Sequence, residues 1–97
     1  MIRVLCVFLW LAVIASGQDL RTLLAEGSEA LQAGNNAAAE DAFRRALALQ
    51  PASIEILNDL AISLARQNKH AESIAFYERA LKLKPGDPTT TRNLAIA

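Results

Sequence analysis

Thiol chemistry has almost nothing to work with in this chain. Cys6 is the only cysteine among 97 residues, so no intrachain disulfide and no cluster of thiolate ligands can form. Histidine is as scarce, with His70 alone. One imidazole and no neighbouring thiol leave a metal site to carboxylates, and none of these cluster in the sequence. No Gly-rich phosphate loop is present. β-Branched and aromatic residues never alternate over five positions, which removes strand candidates. A dominant charge sign is missing too: ten Lys or Arg face ten Asp or Glu, and no run of like charge exceeds two residues. Nucleic-acid binding needs a basic patch that neutralises several phosphates, so it is excluded. These absences predict a protein with no cofactor and no enzymatic activity, whose near-neutral surface serves protein contacts.

The first 17 residues differ from the rest. Arg3 supplies a positive charge, and "VLCVFLWLAVIA" follows as an apolar run of 12 residues ending at Ser16-Gly17. A bilayer-spanning helix needs roughly 20 apolar residues. A charged start, a short apolar core and small residues at Ala15 and Gly17 describe a secretory signal peptide over 1–17. The expected location is therefore exported, periplasmic or secreted, with an uncleaved membrane anchor as the alternative. Cleavage would remove Cys6 and Trp10 and leave residues 18–97 without a thiol and without membrane attachment.

What remains is rich in Ala and Leu and reads as helices in pairs. Leu20, Leu23, Leu24, Gly27, Ala30 and Leu31 recur at the i, i+3, i+4, i+7 spacing of one helix face. "AGNN" at 33–36 interrupts, with Gly34 suited to positive φ and the asparagines to capping. A second helix from about Ala37 places Ala42, Phe43, Ala46, Leu47 and Leu49 on its apolar side and stops at Pro51. Ser53 caps a third helix with Ile56, Leu57, Leu60, Ala61 and Leu64. "RQNKH" at 66–70 is the next turn. Ala71, Ile74, Ala75, Tyr77, Ala80, Leu81 and Leu83 line a fourth helix that ends at Pro85. Asp87 and Pro88 then open a short fifth helix.

These pairs repeat. "RRALALQP" at 44–51 returns as "ERALKLKP" at 78–85, a shift of 34 residues that also maps Leu23 onto Leu57, Gly27 onto Ala61, Ala37 onto Ala71 and Phe43 onto Tyr77. "LAI" at 60–62 reappears at 94–96. A 34-residue period of paired helices resembles the tetratricopeptide repeat family. The positions that carry the likeness are Leu23, Gly27, Ala39, Phe43, Ala46 and Pro51, then Leu57, Leu60, Ala61, Leu64, Tyr77, Ala80 and Pro85. Glu26, Ala30 and Ser73 depart from the pattern, standing where a leucine, a large residue and an alanine are usual. The resemblance implies an all-α fold: antiparallel helix-turn-helix pairs stacked as a short right-handed solenoid. Repeat one spans about 20–53, repeat two about 54–87, and a partial third about 88–97.

In such a family the first helices of successive pairs line a concave groove that binds peptides or proteins. Mapped by register, the groove here receives Arg21, Leu24, Ser28 and Leu31 from the first pair. The second contributes Glu55, Asn58, Asp59, Ile62 and Arg66, and the third Arg92 and Asn93. The best-known groove of the family holds a terminal carboxylate. At the corresponding positions stand Leu24, Ser28, Asp59, Thr89 and Asn93, and the acid at Asp59 rejects that ligand. His70 is expected to pack or cap. Glu26, Glu29, Glu40, Asp41, Arg44, Arg45 and Glu78 are expected as solvated charge, with Glu40 and Asp41 favoured by the helix dipole.

The sequence therefore points to an exported interaction module, a scaffold or adaptor. The alternative is the N-terminal repeat region of a larger exported protein whose functional domain lies beyond residue 97. Repeat arrays of this kind need about three units and a polar cap, and an 80-residue domain buries only about 60–65% of its unfolded surface. Leu94 and Ile96 at an uncapped end predict continuation in a longer array or, failing that, self-association through the ends or a chain that is only marginally stable alone.

Overall fold

The computed structural model describes residues 19–96; the signal-peptide reading of 1–17 lies outside them. Five helices make up the described fold: α1 Leu20–Gln32, α2 Asn36–Leu49, α3 Ile54–Ala65, α4 His70–Leu83 and α5 Pro88–Ile96. No strand occurs among the described residues, and none of these helices is long and apolar enough to cross a membrane. Each helix packs on the next, and α3 also touches α5. The result is a short helical solenoid.

Most helix starts are written in single side chains. Asp19 accepts from the Thr22 amide at 2.7 Å, Asn35 from Ala38 at 3.4 Å, Ser53 from Ile56 at 3.3 Å and Asp87 from Thr90 at 3.0 Å. Each satisfies one of the amides that a helix leaves without an internal partner. The turns inside the two pairs repeat in backbone detail. Gly34 has φ 80° and Asn68, one period later, has φ 63°. The next amide, Asn35 or Lys69, then reaches back to the carbonyl of Ala30 at 2.8 Å or Leu64 at 3.0 Å. A left-handed residue followed by this backward bond is the Schellman ending of a helix.

The core runs along the stack through Leu23, Phe43, Leu47, Ile56, Leu57, Leu60, Leu64 and Ala80. Leu20, Leu24, Ala30, Leu31, Ile54 and Phe76 pack half-buried against it. Within the first pair the helices approach closely at Gly27. A Cβ built there would lie 2.6 Å from Cε1 of the fully buried Phe43. Ala61 and Tyr77 hold the matching positions of the second pair, both buried. Ser73 is buried where alanine is usual, and its hydroxyl donates to the Ala61 carbonyl at 2.8 Å, linking α4 to α3. That bond explains how the core accepts a hydroxyl.

Several expectations need correction. Leu49 and Leu83 are 53% and 48% exposed. Residues two apart on a helix point roughly 200° apart, so Leu49 cannot share the buried side of Leu47, nor Leu83 the side of Leu81. Ala71 and Ala75 are exposed as well. His70 is the first residue of α4 and is exposed, so it neither packs in the core nor closes the turn.

Glu40 is not an ordinary solvated acid. Its side chain is only 15% exposed and accepts from Arg44 Nε at 2.8 Å, Gln67 Nε2 at 2.9 Å and Lys69 Nζ at 3.1 Å. Arg44 continues to Glu72 at 2.9 Å, so the cluster ties α2 to the turn before α4 and to α4 itself. The Arg44 hydrogen bond is the largest cause holding the Glu40 carboxyl at about 2, well below the usual carboxylate range; Gln67 and Lys69 add to it against the opposing effect of burial.

Two predictions follow from this packing. Helix propensity alone would favour a side chain at Gly27 by up to about 1 kcal/mol. Overpacking against Phe43 costs roughly 1–3 kcal/mol and dominates once the side chain branches. Gly27→Val should lower the thermal midpoint by about 10 °C in circular dichroism, and adding Phe43→Leu should restore part of the loss. For Glu40 the folded pKa is depressed, so its contribution is present above about 4.5 and lost as pH falls towards about 2. Because Arg44 and Lys69 are exposed and screened, Glu40→Gln should cost roughly 1–2 kcal/mol at neutral pH. Urea midpoints of the two proteins should converge near pH 2.

Candidate functional site

Two clefts open side by side along α3 and α5. The larger, of about 430 Å³, is lined by Ile62, Ala65, Arg66, His70, Tyr77, Asn93 and Ile96. The smaller, of about 260 Å³, is lined by Ile54, Glu55, Asn58, Asp59, Ile62, Asp87, Thr89 and Asn93. Ile62 and Asn93 belong to both, so the two join into one surface. α3 builds most of it because Glu55, Asn58, Asp59, Ile62 and Arg66 recur at three- and four-residue steps on one side of the helix.

Seven of the groove residues mapped from the sequence therefore come together: Glu55, Asn58, Asp59, Ile62, Arg66, Thr89 and Asn93. The others stand apart from the two clefts. Arg21, Ser28 and Arg92 are exposed elsewhere, while Leu24 and Leu31 lie half-buried against the core. Arg66 closes one end by donating from Nη1 to the Leu31 carbonyl at 3.2 Å, which links α3 back to α1.

Asn58 is a structural wall as much as a groove residue. It is 6% exposed, and its Nδ2 donates to the Thr90 hydroxyl at 2.9 Å. Thr90 in turn donates to Asp87 Oδ2 at 2.8 Å. This buried relay attaches α5 to α3. Asp87 is held below the usual carboxylate range first by the Thr90 amide, then by the Thr90 hydroxyl, with Lys84 adding to both. Asp59 behaves oppositely. It is half-buried and has no hydrogen bond or ion pair among the described residues; burial first, and the nearby Glu55 second, push its carboxyl above the ordinary value.

Sequence reasoning missed His70, Tyr77 and Ile96 as cleft residues. Tyr77 reads as pure core filler, yet its burial in the stack leaves it at the larger cleft, and burial raises its phenol pKa. Register gives no warning for His70, which joins from the start of α4. No group of three or more metal-ligating side chains converges among the described residues.

An unpaired half-buried carboxylate lowers stability where it is ionised in the folded state. Its folded pKa is raised, so the penalty is full at neutral pH and disappears below the unfolded value of 3.8. Asp59→Asn should therefore raise the thermal midpoint at neutral pH, and the difference from the parent protein should vanish in acid. A lower midpoint at neutral pH would show that the carboxylate is compensated.

Comparison with known proteins agrees with the repeat period and the stacked helix pairs. The family model described as Tetratricopeptide repeat matches residues 24–88, more than half of the chain. The chain is also 42% identical over 57 residues to a peroxisomal targeting signal receptor of Eremothecium gossypii, and 40% identical over 57 residues to that of Saccharomyces cerevisiae. These alignments cover 59% of this chain but only 10% and 9% of the two receptors. The chain thus spans about a tenth of the length of the curated relatives it matches. It belongs to the tetratricopeptide repeat family, whose helical arrays are modules for protein–protein interaction.

Proposed function

We propose that this protein is an exported scaffold or adaptor whose joined clefts along α3 and α5 receive an extended segment of a partner polypeptide. The observation that carries the reading is the continuity of the two clefts through Ile62 and Asn93. An open trough with apolar stretches and alternating polar groups suits a peptide, whereas small-molecule sites enclose most of their ligand. The partial likeness to targeting-signal receptors supports recognition of a peptide segment. Asp59 argues against a terminal carboxylate at the centre of the trough. Export is supported by the charged start and short apolar run of residues 1–17.

A photo-crosslinking side chain placed at Ile62 in the full chain, expressed in the source cells, tests the trough. It should yield a discrete adduct with a protein of the exported fraction, and the same group at exposed Glu78 should not. Equal adducts from both positions, or none from Ile62, would refute peptide binding at this face. Adducts found only in the cytosolic fraction would refute export.

A further inference from the structure

We propose that the larger cleft receives a leucine-sized apolar side chain of the partner polypeptide, and that an acidic side chain close to it in the same segment meets Arg66 and His70. The inference rests on the trough reading above and assigns the chemistry of its larger half.

The cleft opens where the two repeats place one leucine differently. Ala30-Leu31 at the end of α1 becomes Leu64-Ala65 one period later, at the end of α3. In the first repeat the leucine is the second of the two residues and lies half-buried against the core. In the second repeat it comes one residue earlier and is fully buried. Position 65 therefore carries a methyl group where the first repeat carries a leucine, and the cleft of about 430 Å³ opens along it. Ser28 meanwhile becomes Ile62, which adds apolar wall beside Ile96, and the buried Tyr77 forms the floor. An aliphatic side chain entering here takes apolar surface of both partners out of water. It supplies the bulk that Leu31 supplies within the first repeat.

Charge decides what accompanies that side chain. Arg66 and His70 both line the cleft, and neither forms an ion pair among the described residues. Arg66 donates once, to the Leu31 carbonyl. A guanidinium carries further N–H groups in a fork that matches a carboxylate, and the His70 ring donates in either protonation state. Glu55 and Asp59 line the smaller cleft and not this one. The trough is thus acidic towards the start of α3 and basic towards its end. A carboxylate on the partner segment complements the basic end, and the acids of the smaller cleft disfavour it elsewhere.

The test is heteronuclear NMR on the isotope-labelled full chain, titrated into the millimolar range with pentapeptides blocked at both ends. The first reads glutamate-alanine-leucine-alanine-glutamate, which serves either chain direction and places all three side chains on one side of an extended segment. It should shift the amides of Ala65 and Arg66 and the side-chain amide of Asn93. Replacing its leucine by alanine should weaken binding about tenfold, and replacing both glutamates by glutamine about threefold. Ala65→Leu, which copies the first repeat, should abolish the shifts while the helical melt is retained. Arg66→Gln, the residue the first repeat has as Gln32, should remove the preference for glutamate and keep that for leucine. Equal binding of the leucine and alanine peptides, or undiminished shifts in Ala65→Leu, would overturn the apolar assignment. Equal binding of the glutamate and glutamine peptides would overturn the acidic one. Shifts of the same amides with protein concentration alone would make a second copy the occupant and overturn both. An unmoved cleft in a protein that crosslinks its partner from Ile62 would remove this inference and leave the trough reading intact. An unmoved cleft together with no adduct from Ile62 would remove both.

Discussion

The approach of the first two helices at Gly27 is the contact on which the stack depends. Phe43 occupies the volume that any side chain at Gly27 would need, so the pair closes at the distance set by an aromatic ring lying against bare backbone. Once α1 and α2 are locked in this way, Leu23 and Leu47 face α3, and the next pair closes the same core from the other side. Ala61 and Tyr77 repeat the arrangement with a methyl group in place of the hydrogen. The Ser73 hydroxyl adds a bond to the α3 backbone that the first pair lacks. The two pairs are thus variants of one packing solution.

Much of this was legible in the sequence because it is local or periodic. The 34-residue shift is a period that the sequence repeats openly, while the proline stops, Ser53 and Asp87 as caps, and Gly34 in its turn depend on residues a few positions apart. Long-range contacts were opaque. Glu40 looks like first-turn acid until Gln67 and Lys69, some thirty residues later, are placed against it. Leu49 was drawn into the apolar side by composition, although the helical angle forbids it. The trough was legible only in part. The spacing of Glu55, Asp59, Ile62 and Arg66 on α3 puts them on one side, but register alone placed Leu24 and Leu31 there too, where core packing takes them. Asn58 was legible as a polar position and not as a buried one, since its burial depends on Thr90 of a different helix pair.

The two acidic side chains at the centre of these events show how differently the fold treats charge. Glu40, which lines neither cleft, is surrounded by an arginine, a lysine and an amide, and its ionised form is stabilised. Asp59, in the trough, is partly desolvated without a partner, and its ionised form is penalised. Structural clusters are expected to resemble the first, and surfaces kept for a partner the second, because stability is sacrificed where a ligand supplies the missing interactions. The cations of Arg44 and Arg79 over the Phe76 ring, at 5.5 and 5.7 Å, belong with Glu40: they cover an aromatic face that would otherwise lie open.

The relay from Asn58 through Thr90 to Asp87 gives the junction between pairs a property that neither pair has alone. In an isolated second pair the Asn58 amide could turn over freely, offering a donor or an acceptor with equal ease. Only when α5 docks and Thr90 takes its place is the amide held with its nitrogen on the Thr90 hydroxyl and its oxygen shut in. Order in this wall of the trough therefore depends on whether the following helix is in place. Fraying of α5 would loosen a surface lying mainly on α3, and anything that binds across both helices is thermodynamically obliged to hold α5 in place.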